Sequence, residues 1–288
     1  MATAKTVLIT GCSTGSIGEA LAKEFRNRGY HVIATARSLT RLSTLKPLGI
    51  QTEELDVTSQ ASIQSLRNKI TKLDILINNA GGYHPGMISD LTEPQWQAVF
   101  AQNFFSVVNV THAFLPLLLE SRGTVVNHTS QNPYFAFPGC ALYACSKAAV
   151  RQYTDNLRIE MHPFSVRVVE LITGFVSSNI VTRQMPGRPG AVPESSIYFP
   201  IKDELKNAWA GGGLQGKATP PDEYAKKVVS DLIDPPGWFG PWIWRGWSAT
   251  TSYWVWLLGC GWKGAWDPVW RMGALALLKG RLEKEKQV

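Results

Sequence analysis

Tyr143 and Lys147 stand four residues apart, and on a helix that spacing puts a phenol and an ammonium on one face. A phenol beside a cation is a proton donor or acceptor whose charge state its neighbour can tune. The run Ala144-Cys145-Ser146-Lys147-Ala148-Ala149-Val150 has good helical character, so the pair is placed on a helix. A second Tyr-Lys pair of the same spacing, Tyr198 and Lys202, encloses Pro200, which disrupts a helix, and it is set aside. Ser130 precedes Tyr143 by 13 residues, just after the strand-like Val125-Val126-Asn127, and Asn103 precedes Ser130 by 27 in a helical stretch.

A different chemistry is written near the N-terminus. Val7-Leu8-Ile9-Thr10 runs into Gly11-Cys12-Ser13-Thr14-Gly15-Ser16-Ile17-Gly18, and a helix starts at Glu19. Glycines between a first strand and a helix let main-chain amides approach a pyrophosphate at the positive helix N-terminus. The second strand ends Ala34-Thr35-Ala36-Arg37. In a dinucleotide fold this is where the adenosine ribose arrives, and an arginine there pairs with a 2′-phosphate where an acid would take a free 2′-hydroxyl.

The elements that must position these residues alternate. Short apolar runs at 7–10, 32–35, 53–55, 73–78, 124–127 and 166–171 read as six strands, and 19–28, 59–72, 93–120 (kinked near Pro116) and 144–162 read as helices between them. That order predicts an α/β fold: a Rossmann-like, doubly wound parallel sheet in three layers, with its ligands at the carboxyl ends of the strands. After residue 173 four prolines and Gly211-Gly212-Gly213 loosen the pattern until Pro221 opens a helix through Ile233, so 181–220 is expected to be a lid over the pocket. The chain divides into a catalytic unit, 1–235, and a Trp-rich extension, 236–288, packed on that unit or on a membrane surface.

Composition agrees with one large core: 288 residues, of which 44% are hydrophobic and 18% charged. The net charge of +7 is scattered without a basic run, which argues against nucleic acid as partner. Four cysteines show neither a CxxC pair nor a disulfide framework, so no metal is expected and a reducing compartment, the cytoplasm, is the default. The N-terminal apolar run is too short for a signal peptide.

Taken together, the glycine turn, Leu55-Asp56-Val57-Thr58 after the third strand, Asn78-Asn79-Ala80-Gly81 after the fourth, Asn103, Ser130 and Tyr143-x-x-x-Lys147 resemble the short-chain dehydrogenase/reductase family over roughly residues 5–235. The resemblance implies an NADP(H)-dependent oxidoreductase in which Tyr143 protonates a substrate carbonyl as hydride arrives, or removes the alcohol proton in reverse. It implies that Lys147 bonds the nicotinamide ribose and draws Tyr143 toward the phenolate, that Ser130 bonds the substrate oxygen, and that Asn103 holds a water leading from Lys147 to solvent. Gly11, Ser13, Ile17, Gly18, Arg37, Asp56 (on the adenine amine), Asn79, Val176 and Ser178 (on the carboxamide) complete the implied cofactor site. Dimers or tetramers through the long helices are the family expectation.

Two departures stand out. One residue is inserted around Ser16 between the second and third glycines, and Thr173-Gly174 stands where the family often has Pro-Gly. With the tail, these resemble a fungal branch that holds 1-acyldihydroxyacetone-phosphate reductases and reductases of secondary-metabolite pathways. Nine of the 11 Trp lie between Trp238 and Trp270, interleaved with Arg245, Lys263 and Arg271. Such a belt suits either a membrane headgroup layer, on the endoplasmic reticulum or a lipid droplet, or a cover over an apolar pocket or subunit interface. The substrate expected is a hydrophobic, lipid-like or secondary-metabolite ketone or alcohol. The alternative is a cofactor-binding member of the fold used as an isomerase, cyclase or scaffold.

Overall fold

The computed structural model describes residues 4–180, 192–212, 216–235 and 241–258. Seven strands, β1 (Thr6–Ile9), β2 (His31–Ala36), β3 (Gln51–Glu54), β4 (Ile75–Asn78), β5 (Thr124–His128), β6 (Arg167–Thr173) and β7 (Trp242–Arg245), form one sheet in the order β3-β2-β1-β4-β5-β6-β7. Every neighbouring pair is parallel. The chain order reverses between β1 and β4, and at such a switch point a crevice opens outside the carboxyl ends of the strands.

Alternating side chains on the strands face opposite layers. Val7 and Ile9 meet Phe25 of α1 (Ile17–Asn27) and Tyr224 and Val228 of α7 (Pro221–Ile233). Leu8 and Leu76 meet Ile63 of α2 (Gln60–Lys69), Phe114 of α4 (Ser106–Ser121) and Leu157 of α5 (Ala141–Met161). Both faces of the sheet are thereby sealed, as a parallel sheet requires. The helix expected over 93–120 is three pieces: α3 (Glu93–Phe100), a π turn (Ala101–Phe105) and α4, which runs through Pro116.

Two expectations need correction. The region expected to lack regular structure contains α6 (Lys202–Trp209), whose buried Leu205 and Trp209 pack with Met87 and Val192. The sheet has a seventh strand inside the Trp-rich extension: Trp242-Ile243-Trp244-Arg245 pairs with Glu170–Thr173 of β6. Ile243 and Trp244 are buried, and α8 (Ala249–Leu258) follows. Tryptophan density hid an ordinary alternating strand. Trp238, Trp262, Trp266 and Trp270 lie outside the described residues.

Candidate active site

The glycine turn shows where the inserted residue went. Ser16 caps α1: its hydroxyl accepts the Glu19 amide at 3.1 Å and donates to the Gly11 oxygen at 3.2 Å. Gly11 has φ +76°, and a Cβ there would sit 2.8 Å from Ala80 Cα. A Cβ on Gly18 would sit 2.6 Å from both Asn79 Nδ2 and the Gly11 oxygen, so the turn and the loop after β4 close on each other only without side chains. The Glu19 carboxylate accepts the Gly15 amide at 2.6 Å and the Thr44 hydroxyl at 2.6 Å, and pairs with Lys23 at 2.9 Å. Ile17 and Gly18 open α1, where the first-turn amides have no intrahelical acceptor and the helix dipole is positive.

From this turn a cleft of about 370 Å³ runs along the carboxyl ends of the strands. Gly11, Ser13, Ile17, Arg37, Asp56, Asn79, Ser130, Tyr143, Lys147, Val176 and Ser178 line it, whereas Gly18 and Asn103 lie behind its wall. Asp56 accepts the amide of Thr58 at 2.9 Å and its hydroxyl at 2.7 Å. A groove bounded by helix N-terminal amides at its centre, a guanidinium and a carboxylate at one end and a tyrosine at the other fits a dinucleotide.

At the far end, Tyr143 and Lys147 project from one face of α5, both buried. Ser130 follows β5, lines the cleft with Tyr143, donates to Asn132 Oδ1 at 3.4 Å and accepts the Asn132 amide at 3.2 Å. Lys147 Nζ donates to the His128 oxygen at 2.8 Å. Asn103, on the π turn, accepts the Gly82 amide at 2.8 Å and donates to the Gly82 oxygen at 3.0 Å and the Ser146 hydroxyl at 3.1 Å. It braces the segment at Gly81, where a Cβ would come within 3.3 Å of Asn103 Oδ1.

Ser130, Tyr143, Thr173 and Val176 are shared with a second chamber of about 110 Å³, beyond the tyrosine. Its walls are the rings of Tyr83, Phe135, Phe137, Phe175 and Trp209. Tyr83 meets Tyr143 edge to face, centroids 5.5 Å apart. Trp209 donates its indole N–H to the Pro138 oxygen at 3.1 Å, which leaves an apolar ring for the chamber. The sequence reading gave this pocket to 181–220 and the tail. Among the described residues, the tail lines neither chamber; Ala208 and Trp209 of 181–220 do line the second, and its other rings come from the segments after β4, β5 and β6 and from α5.

Comparison with known proteins decides the family. Residues 5–188 match the model of the short chain dehydrogenases. The chain belongs to the short-chain dehydrogenase/reductase family. It is thereby an oxidoreductase of alcohol and carbonyl groups. A short-chain dehydrogenase/reductase of Pestalotiopsis microspora is 37% identical over 247 residues, covering 85% of each chain. An NADPH-dependent 1-acyldihydroxyacetone phosphate reductase of Schizosaccharomyces pombe is 40% identical over 204 residues, 69% of each chain. Among solved structures, a short-chain dehydrogenase from Streptomyces avermitilis superposes with a TM-score of 0.75 at 26% identity, covering 95% of this chain and 99% of that one. A serine dehydrogenase complexed with NADP+ gives 0.67 at 27% identity, covering 80% and 90%.

In this family member burial overrides the proton balance that the resemblance implied. Tyr143 is pushed up to about 12 by its burial, against the lowering effect of the Ser130 hydrogen bond, and a thiolate at Cys140 would push it further. Lys147 is drawn down to about 8, also by burial. Burial dominates the phenol here and opposes the lowering that the resemblance implied. A Tyr143 that keeps its proton at neutral pH is matched to donating it, and Lys147 remains largely cationic there.

Three buried residues were missed: His128 and Thr173, which line the cleft, and Tyr224 behind them. His128 Nδ1 lies 2.9 Å from Asn79 Oδ1 and its Nε2 lies 2.6 Å from Thr173 Oγ1, which lies 2.5 Å from the Tyr224 hydroxyl. The signal available was Thr173 itself, a hydroxyl where the family often has proline. His128 and Tyr224, 96 residues apart in the chain, carried no local sign.

Proposed function

We propose that this chain is an NADPH-dependent ketoreductase acting on a hydrophobic substrate, of lipid or secondary-metabolite type. The observation that carries this reading is the position of Tyr143 and Ser130 in the wall common to the dinucleotide-shaped cleft and the aromatic chamber. A carbonyl placed there has hydride supplied from the cleft side by the bound dinucleotide. Ser130 orients the carbonyl oxygen, and Tyr143 transfers its phenolic proton to that oxygen, which completes the alcohol. Lys147 holds a positive charge at the foot of the site and offsets the phenolate left behind.

The NADP(H) preference is supported by Arg37 at the adenosine end and by the names of the Schizosaccharomyces pombe reductase and the NADP+-bound serine dehydrogenase. The substrate class is supported by the chamber itself. Its described lining has six rings, Tyr143 among them, and no ionised side chain, which suits an apolar substituent next to the carbonyl. The room beside Tyr143 is of the order of one six-membered ring, since a cavity of roughly 150 Å³ holds benzene.

The test is a panel of alkyl-aryl ketones, long-chain β-keto esters and an acyldihydroxyacetone phosphate, incubated with protein and NADPH or NADH, with Tyr143→Phe as the control. Consumption of NADPH on an apolar ketone, lost in Tyr143→Phe, is expected. Turnover of the acyldihydroxyacetone phosphate alone would narrow the substrate to a phosphorylated lipid ketone and overturn the secondary-metabolite reading. Absence of turnover with every carbonyl, despite tight NADPH binding, would favour a non-redox use of the fold.

A further inference from the structure

With the His128 ring neutral, as burial and the nearby Lys147 charge keep it, the hydrogen bonds behind the site have one consistent direction. Asn79 Nδ2 donates to the Thr10 oxygen at 2.8 Å and to the Gly11 oxygen at 3.2 Å, so Asn79 Oδ1 must face His128 and accept. His128 therefore carries its proton on Nδ1, and Nε2 is an acceptor. Thr173 must then donate its one hydroxyl proton to Nε2, and Tyr224 must donate to Thr173. All four residues are buried or lie against the cleft, and the His128 and Tyr224 rings stack at 18°. No donor or acceptor position in this line is interchangeable.

We propose that the Tyr224–Thr173–His128–Asn79 chain is a positioning device for hydride transfer, with Thr173 as its central residue. His128 is clamped at both ring nitrogens, and its main-chain oxygen is the acceptor that fixes the Lys147 ammonium at 2.8 Å. Asn79 carries the same constraint to the main chain of the glycine turn. Thr173 lines both chambers, and Gly174 to Val176 continue from it along the nicotinamide end of the cleft. The hydroxyl at 173 thus links the lysine, the floor at Asn79 and the strand end through contacts that a proline cannot make. None of the four need touch the reacting atoms, so they act through Lys147 and the cleft wall.

The inference rests on the proposed ketoreductase reading, and its test separates the two. Thr173→Val keeps the shape and removes the hydroxyl, Thr173→Ser keeps the hydroxyl, and Tyr224→Phe removes only the terminal donor. The first readout needs no substrate: the affinity for NADPH is compared with that for adenosine 2′,5′-bisphosphate, which reaches only the Arg37 end. Thr173→Val should weaken NADPH roughly tenfold, as expected for a buried acceptor left unpaired, and leave the bisphosphate unchanged, while Thr173→Ser recovers most of the loss. On the best ketone, kcat should fall roughly tenfold in Thr173→Val with a larger isotope effect from NADPH deuterated at the transferred position. Should Thr173→Val fail to fold, Tyr224→Phe is expected to move the same ratio in the same direction. Equal behaviour of Thr173→Val and wild type in both readouts, equal loss of NADPH and bisphosphate, or a Thr173→Ser as impaired as Thr173→Val would overturn the proposal. A wild-type protein that reduces no ketone sinks the ketoreductase reading, and the binding ratio still decides this one.

Discussion

Lys147 Nζ donates to the main-chain oxygen of His128 across 2.8 Å, which ties the cation of the helix α5 to the end of strand β5. The lysine is therefore structural as well as chemical, and its removal should differ in kind from removal of the phenol. Tyr143→Phe should lower kcat by roughly 10²- to 10⁴-fold with little change in NADPH affinity or melting temperature. Lys147→Ala leaves a buried oxygen unpaired, so it should also lose about 1–3 kcal/mol of stability and weaken NADPH binding. Thermal melts beside steady-state kinetics and cofactor titration check both.

The pH profile of reduction follows from the two burial shifts. Tyr143, pushed up to about 12, holds its proton through the neutral range, so it imposes no alkaline limit on proton donation below that. Lys147, lowered to about 8, loses its charge first. The kcat/KM for reduction should be level from pH 6 to about 8 and decline above it, and Lys147→Arg, if active, should move that decline upward. A decline centred well below pH 8 would show that another group controls the reaction.

Arg37 is the only cationic side chain among the described residues lining the cleft besides Lys147, and it stands at the opposite end. Arg37→Asp should weaken NADPH by about 2 kcal/mol or more, given roughly 1.5–3 kcal/mol for a charge-assisted hydrogen bond, and NADH far less. Equal losses for the two cofactors would make Arg37 a structural residue of the loop.

How much of this was legible follows from what each residue depends on. The alternation of the sheet up to β6 and the Tyr143-x-x-x-Lys147 pair are local patterns, and they read correctly as elements. The insertion at Ser16 obscured the turn because its resolution is a side-chain cap, visible only when Glu19 and Gly11 are placed. The strand β7 was hidden because tryptophan is rare in any one element, and nine together suggested a surface. The aromatic chamber gathers Tyr83, Phe137, Phe175 and Trp209 from four separate segments, and long-range assembly of that kind leaves no periodicity to read. Burial decided the protonation of Tyr143 and Lys147, and burial is a property of the packed chain.

His128 gives the fold an acid sensitivity independent of catalysis. Burial first, and then the charge of Lys147, hold it down at about 3, so it is neutral when folded and titrates near 6.5 when unfolded. A depressed folded value means stability is complete above about pH 6.5 and is lost as pH falls toward 3. The melting temperature should drop between pH 7 and 5, and His128→Gln should flatten that drop even if it lowers the starting value. An unchanged slope in the variant would assign the loss to other groups; Glu19, which its hydrogen bonds to Thr44, Lys23 and Gly15 hold below the usual carboxylate range despite burial, loses its contribution only at more acid pH.

The Trp-rich extension separates into core and surface by residue. Trp244 is 5% exposed and packs on Ile172, Tyr134 and Tyr253, whereas Trp254 is 47% exposed on α8. Main-chain bonds from Gly174 to the Arg245 oxygen at 2.8 Å and from Phe175 to the Trp247 oxygen at 2.9 Å hold the wall of the active site against this segment. Trp244→Ala should therefore cost about 3–5 kcal/mol and weaken catalysis, while Trp254→Ser should leave the unfolding free energy within about 0.5 kcal/mol of wild type. Truncation after Pro235 removes β7 and exposes the edge of β6, so it should destabilise the whole sheet and abolish tight NADPH binding together with activity. A truncated protein that melts like the full chain and still binds NADPH would show that the seventh strand is an accessory rather than part of the core. Retention of binding with loss of turnover alone would confine its role to the wall at Gly174 and Phe175.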